Sequence, residues 1–416
     1  MSTSNIKYTV VDRFLKYITF DTQSSETSET YPSTEKQKVL GEFLVKELLE
    51  MGLKDAKIDK YGYVTATLPA NTEKKIPTIG LISHMDTSPD VSGKDVKAVI
   101  HKNYQGEDIV LPGDKNQILK YDETPDLSKQ IGNDIITSDG TTLLGADNKA
   151  GIAEIFDAVH HLINNPDIEH GTIRVAVTPD EEVGNGTKYF DVESFGADFA
   201  YTIDGESAGE IENETFSADS VVIKIHGYNV HPGYAKNKLV NSIKIMSELI
   251  DKLPKNKLSP ETTEKREGYV HPHGVEGNVE TSVAKFLIRD FTVEGLKEHE
   301  ALLKNLAEKV VSQYPKAKLE FEVSESYRNM KYKLDETPHV TEFAMQAIER
   351  SGMKPRLGLI RGGTDGSRLS YMGLHTPNIF TGGHNFHSKL EWISIQDMQK
   401  AVDVIVNLVK VWADQS

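Results

Sequence analysis

The chain has 416 residues, no cysteine, 38% apolar and 26% charged residues, and a net charge of −16 at neutral pH. That length suits two or three ordinary domains, and without thiols there are neither disulfides nor thiolate metal sites, so His, Asp and Glu are the strong ligands left. The acid excess argues against nucleic acid or an anionic membrane as partner, because both need a basic surface, and no apolar run approaches the roughly 20 residues of a membrane span.

The first twenty residues, "MSTSNIKYTVVDRFLKYITF", show no basic segment followed by an apolar one; Val10, Phe14, Leu15 and Ile18 recur at helical spacing instead. This predicts an N-terminal surface helix and a cytoplasmic protein. From 76 to 205, "IPTIGLISH", "GIAEIFDAVHHLINN", "GTIRVAVTPDEE" and "ADFAYTIDGE" alternate strand with helix. Such alternation predicts a mainly parallel sheet covered by helices, with ligands gathering at the carboxyl ends of the strands. The polar stretch 101–134 is long for a connection and has room for short strands of its own.

Between 209 and 330 the texture changes. "SADSVVIKIHG", "TSVAKFLIRDF" and "AKLEFEVSES" read as strands, separated by the amphipathic helices "NKLVNSIKIMSELIDKL" and "VEGLKEHEALLKNLAEKVVSQY". This predicts an inserted α+β, ferredoxin-like domain with helices on one face. After 331 the α/β texture resumes and closes with the helix "SIQDMQKAVDVIVNLVKVWADQ". The expected organisation is an α/β catalytic domain built from 1–208 and 331–416, with 209–330 inserted as a lid.

Five stations carry ligand-type residues. "LISHMDTSPD" places His84 and Asp86 at a strand end; their i, i+2 spacing lets Asp86 orient the His84 ring. "LLGADNKAG" puts Asp147 near a helix start, where capping and the bridging of two cations are both open to it. "TPDEEVGNG" brings Asp180, Glu181 and Glu182 together, "YTIDGE" ends in Asp204, and "GGHNFHS" supplies His384 and His387. Carboxylate and imidazole without thiolate suit Zn²⁺, Mn²⁺ or Co²⁺, and two such ions roughly 3.5–4 Å apart suit hydrolysis.

In this order, and with an inserted domain, "SHMDT", "LLGADNKAG", "TPDEEVGNG", "YTIDGE" and "GGHNFHS" resemble the dinuclear zinc aminopeptidase and carboxypeptidase family that includes aminoacylases and succinyl-diaminopimelate desuccinylases. The resemblance spans essentially the whole chain. The form "GADNKAG" departs from the longer Gly-rich motif of the carboxypeptidase-like branch and favours the tripeptide aminopeptidases.

The resemblance implies a zinc-exopeptidase-like fold and two Zn²⁺ per subunit, with Co²⁺ or Mn²⁺ as substitutes. His84, Asp147 and Asp204 would hold one ion, and Asp147, Glu182 and His387 the other, with Asp147 bridging. Glu181 is implied as general base and Asp86 as the partner of His84, while Asp180 has no role beyond a turn. Arg289 and Arg361 are implied as clamps for a substrate carboxylate. His231 would reach the developing oxyanion as the lid closes, in its own subunit or, in a homodimer formed through the lid, in the neighbour's. The implied activity is release of the N-terminal residue from a small peptide substrate, a tripeptide. A dipeptidase or an N-acyl amino acid deacylase on the same scaffold is the alternative. A non-catalytic metal-binding protein is disfavoured by the presence of Glu181, which only chemistry requires.

Overall fold

A computed structural model describes residues 6–415; the reading of the first five residues lies outside them. The chain divides into two compact units, one formed by residues up to 213 with 330–358 and 364 onward, the other by 214–329 with 359–363. The short piece 359–363 belongs with the second unit through its backbone. The carbonyl of Ile360 accepts from Phe216 N at 3.1 Å, and Arg361 donates to the carbonyls of Lys265 and Glu267.

The first unit is built on an eight-stranded mixed sheet. Its centre is parallel: Ile173–Thr178, Ile79–His84, Phe199–Gly205 and Asn378–Phe380 run side by side in one direction. The flanks are antiparallel, so the sheet is less parallel than the sequence pattern predicts. One cause is local. Asp59 accepts from the N–H groups of Tyr61 and Tyr63 at 2.8 and 3.0 Å, an Asx turn that folds Lys57–Ile58 back onto Val64–Leu68.

The helix Ala146–Asn164 is buried on almost every side as far as Val159. It packs with Val10–Tyr17 and Ile395–Asp414 in one large apolar cluster that contains Phe14, Phe156, Ile203 and Val404. Where this helix meets the strand ending in Asp204, a side chain at Gly151 would collide with the carbonyl oxygen of Ile203. Glycine there permits the close approach that brings Asp147 to the strand ends. The polar stretch after 101 does hold small strands, Ile109–Val110 and Ile118–Leu119, which share a core with Tyr104, Leu127 and Trp392.

The second unit is a four-stranded antiparallel sheet in the order Tyr269–Gly277, Thr281–Asp290, Ser217–His226, Lys318–Tyr327. The helices Ser242–Asp251 and Val293–Val311 share its apolar cluster through Ile245, Leu249, Leu303 and Val310. Tyr269–Gly277 completes a β-α-β-β-α-β order and is not apparent in the sequence pattern. It carries Pro272 and Gly274, tolerated because it is an edge strand whose register shifts between those two residues. No helix among the described residues is long and apolar enough to cross a membrane.

Candidate metal centre

The parallel strands deliver the site. His84 closes Ile79–His84, Asp204 lies near the end of Phe199–Gly205, and Glu181 and Glu182 follow Ile173–Thr178 in a short 3-10 turn. Asp147 enters from the start of its helix but does not cap it; Gly145 occupies the cap position. His387 comes from the loop after Gly383–His384, at a positive φ of 58°.

Asp147 is shared. Its Oδ1 lies 2.9 Å from His84 Nε2 and its Oδ2 lies 3.2 Å from His387 Nε2. Asp204 joins the first side, 3.4 Å from His84 Nε2, and Glu182 the second, 2.7 Å from His387 Nε2. The result is two groups of potential ligand atoms, His84, Asp147, Asp204 and Asp147, Glu182, His387, each gathered within 4.8 Å.

Asp86 has two jobs in this geometry. Its carboxylate stands 3.3 Å from His84 Nδ1, a ring nitrogen also 3.1 Å from the Asp86 carbonyl oxygen. The same carboxylate accepts from the N–H groups of Glu181 and Glu182 at 3.0 and 3.2 Å. One buried acid thus orients a ring and pins the turn that carries Glu181 and Glu182. On the second side, Asp90 lies 3.3 Å from His387 Nδ1.

Charge is out of balance here. Burial tends to lower the His84 pKa, but Asp204, Asp147 and Asp86 outweigh it and hold the ring well above its ordinary value. Burial likewise opposes protonation of His387, yet Asp147 and Glu182 push it up to about 11. Asp147 is held well below the carboxylate range: burial opposes this, and the hydrogen bonds to His387 and His84 prevail. Glu182 is pushed up to about 8 by burial and then by Asp147. Burial also raises Glu181 strongly, with Asp365, Asp204 and Glu182 adding to it and His84 opposing.

Burial and mutual repulsion raise Glu181, Glu182 and Asp204 together, the mark of carboxylates gathered without enough positive charge to keep them ionised, and Glu182 Oε1 is buried with no hydrogen-bond partner among the described residues. A buried, unpaired carboxylate oxygen is costly. Divalent cations would satisfy both the charge and the orphaned oxygen, and an all-oxygen-and-imidazole donor set suits zinc, manganese or cobalt.

The residues expected to bind substrate, Arg361, Arg289 and His231, lie on the second unit. Arg361 donates to the carbonyls of Lys265, Glu267 and Thr263 and to Thr263 Oγ1, at 2.8 to 3.3 Å. It stacks over Phe216 at 5.1 Å. Both of its terminal nitrogens are thereby engaged within the second unit. Arg289 is different: it donates one bond to the Arg361 carbonyl at 3.1 Å, and its Nε is buried without a partner among the described residues. His231 begins an exposed turn, where its Nδ1 accepts from Gly233 N at 3.2 Å.

Several buried acids around the site have partners that the sequence does not show. Asp180 is no mere turn residue: it is 1% exposed and accepts from Gln37 Nε2 at 2.7 Å and from both the N–H and hydroxyl of Ser33. Asp365 accepts from Thr178 Oγ1 at 2.7 Å. Glu391 accepts from three backbone N–H groups beside Asp147. His384, by contrast, stacks on Trp392 with ring centroids 4.4 Å apart, and burial pulls its pKa down to about 4.

Fold and site together define an α/β protein with a candidate cation cluster at its strand ends. The chain matches the model of peptidase family M20/M25/M40 over residues 139–411. Peptidase T of Clostridium novyi (strain NT) is 52% identical over 404 residues, 97% of this chain and 99% of that protein. The crystal structure of the aminopeptidase PepT from Bacillus cereus ATCC 10987 superposes with a TM-score of 0.75 at 26% identity, covering 97% of this chain and 98% of the other. A dinuclear metal-binding peptidase of the M20 family from Bacillus subtilis shares the fold, with a TM-score of 0.67 at 14% identity over 98% of each chain. This chain belongs to peptidase family M20/M25/M40.

Proposed function

We propose that the chain is a two-metal aminopeptidase that releases the N-terminal residue of tripeptides. The observation that carries this reading is the sharing of Asp147 between two ligand groups, with Glu181 beside them in the same pinned turn. His84, Asp147 and Asp204 would hold one zinc ion, and Asp147, Glu182 and His387 the other. When bound, the two ions would polarise the scissile carbonyl and acidify the attacking water.

Glu181 has the proton-handling role. Its carboxylate accepts no hydrogen bond from the described residues, and burial raises its pKa toward the range in which a carboxyl group can both take and return a proton. It takes the proton of the attacking water and delivers it to the leaving amine. Asp86 fixes the His84 ring and the backbone of Glu181. Arg289, with an unpaired buried Nε, is the better candidate of the two arginines for a substrate carboxylate, and His231 is the candidate for the oxyanion.

The preference for tripeptides rests on the half-identical, full-length relatives that bear the peptidase T name. The test is hydrolysis of Ala-Ala-Ala, Ala-Ala and N-acetyl-alanine after chelation, and again after adding back Zn²⁺ or Co²⁺. Metal-restored release of alanine from the tripeptide alone is expected. Preference for the dipeptide would indicate a dipeptidase, and preference for the acylated residue a deacylase; either would overturn the proposed specificity.

A further inference from the structure

The helix Ala146–Asn164 is interrupted near its start: Asp147 and Asn148 have non-helical φ/ψ, and Asn148 Oδ1 accepts from Gly151 N at 3.2 Å to cap the turns that follow. The N–H groups ahead of that break, including that of Asp147, are held by a side chain distant in sequence. Glu391 Oε2 accepts from Leu144 N at 2.7 Å and Gly145 N at 2.8 Å, and Oε1 accepts from Asp147 N at 3.0 Å.

This carboxylate is 1% exposed. It is held on its own side by Trp392, fully buried and paired in the strand Trp392–Ser394 against Ile135–Ser138. Glu391 also follows His387 on the same loop. It therefore joins the segment carrying His387 to the segment carrying Asp147, two residues that must meet around one ion. Three N–H bonds to one carboxylate fix a loop far more closely than packing alone.

We propose that Glu391 is a positioning residue for Asp147: it sets the backbone from which the shared carboxylate reaches both ligand groups. It touches neither substrate nor ion, and its effect passes through Asp147. The inference rests on the two-metal reading and deepens it. Residues that orient metal ligands in this way typically cost about 10- to 100-fold in metal affinity when changed.

Loss of any buried carboxylate lowers stability, so a matched control is needed. Asp157 provides one. It is 1% exposed and accepts from the N–H groups of Thr9 and Val10 at 2.9 and 3.0 Å, anchoring another helix start by the same chemistry with no contact to a ligand residue.

The experiment is titration of metal-free wild type, Glu391→Gln and Asp157→Asn with Co²⁺, following the visible spectrum and the bound ion, together with the melting temperature of each metal-free protein. Both variants are expected to melt lower than wild type. Only Glu391→Gln should bind Co²⁺ about 10- to 100-fold more weakly and with an altered spectrum. Should Glu391→Gln not fold, Glu391→Asp carries the same readout, since its shortened carboxylate draws away from the three N–H groups. Wild-type affinity and spectrum in the Glu391 variant would overturn the proposal, as would an equal loss in Asp157→Asn. A wild type that takes up no Co²⁺ would overturn the metal reading and this inference with it, whereas a wild type that binds beside an equally binding Glu391 variant overturns this inference alone.

Discussion

Glu181 and Glu182 are neighbours in sequence, both half-buried, both raised in pKa chiefly by desolvation, yet their surroundings suit them to different work. Glu182 lies 2.7 Å from His387 and completes a ligand group; Glu181 has no such partner. Glu181→Gln removes the proton acceptor while keeping size and polarity. It is expected to lower kcat by about 10²- to 10⁴-fold, with KM and metal content near wild type. Glu182→Gln should instead weaken metal uptake. Parallel measurement of bound zinc and kcat separates the two, and a Glu181→Gln enzyme with near-normal turnover would refute its role. The candidate ligands were reachable from the sequence because five motifs carry them in order, His84, Glu182 and Asp204 after strands, Asp147 at a helix start and His387 in a Gly-rich turn, and because those motifs resemble a known family. Of the acids that support them, Asp86 shows in its spacing to His84, but the partners of the others do not show. Glu391 acts on Leu144, 247 positions away, and Asp180 on Ser33, 147 positions away; only folding brings an acceptor to those N–H groups.

At the scale of elements, the helix Ala146–Asn164 shows what the sequence pattern conveys and what it hides. Its apolar spacing predicts a buried helix. Nothing in that spacing reveals that Glu154 is 0% exposed with both carboxylate oxygens unpartnered, or that Gly151 is needed to approach Ile203. The edge strand Tyr269–Gly277 is hidden for a related reason: its Pro and Gly obscure a strand that only its partner Thr281–Asp290 stabilises. Burial, with Asp397 adding to it, raises the Glu154 pKa well above its ordinary value. The folded state therefore keeps a proton that the unfolded chain releases above about pH 4.3, so stability falls as pH rises from there through the folded pKa. The slope is about 1.4 kcal/mol per pH unit for one proton. Glu154→Met, similar in size and helix-compatible, should erase that contribution. Its stability relative to wild type, from denaturant melts at several pH values from about 5 upward, should improve as pH rises toward the folded pKa. A difference that stays flat across that range would show that Glu154 does not keep its proton on folding.

For the whole molecule, the division into two units makes a statement about where metal can act on stability. Every candidate ligand, and each of the supporting acids Asp86, Asp180 and Glu391, belongs to the first unit. The second unit has its own four-stranded sheet and its own apolar cluster, containing Val221, Ile225, Phe286 and Leu303. An ion that binds only the folded state stabilises by about 2.7 kcal/mol when present at 100 times its Kd, and that stabilisation reaches the elements whose opening would release it. Chelation should therefore raise amide hydrogen exchange in 143–148, 181–184 and 383–391, where backbone N–H groups are held by Glu391, Asp86 or the loop of His387. It should leave Ser217–His226 and Thr281–Asp290 as protected as before, because those strands pair within the second unit. Readdition of Zn²⁺ should reverse the change. Equal loss of protection in both units would mean that they unfold as one cooperative body, and the cations would then have to be counted as supports of the whole chain rather than of the unit that holds them.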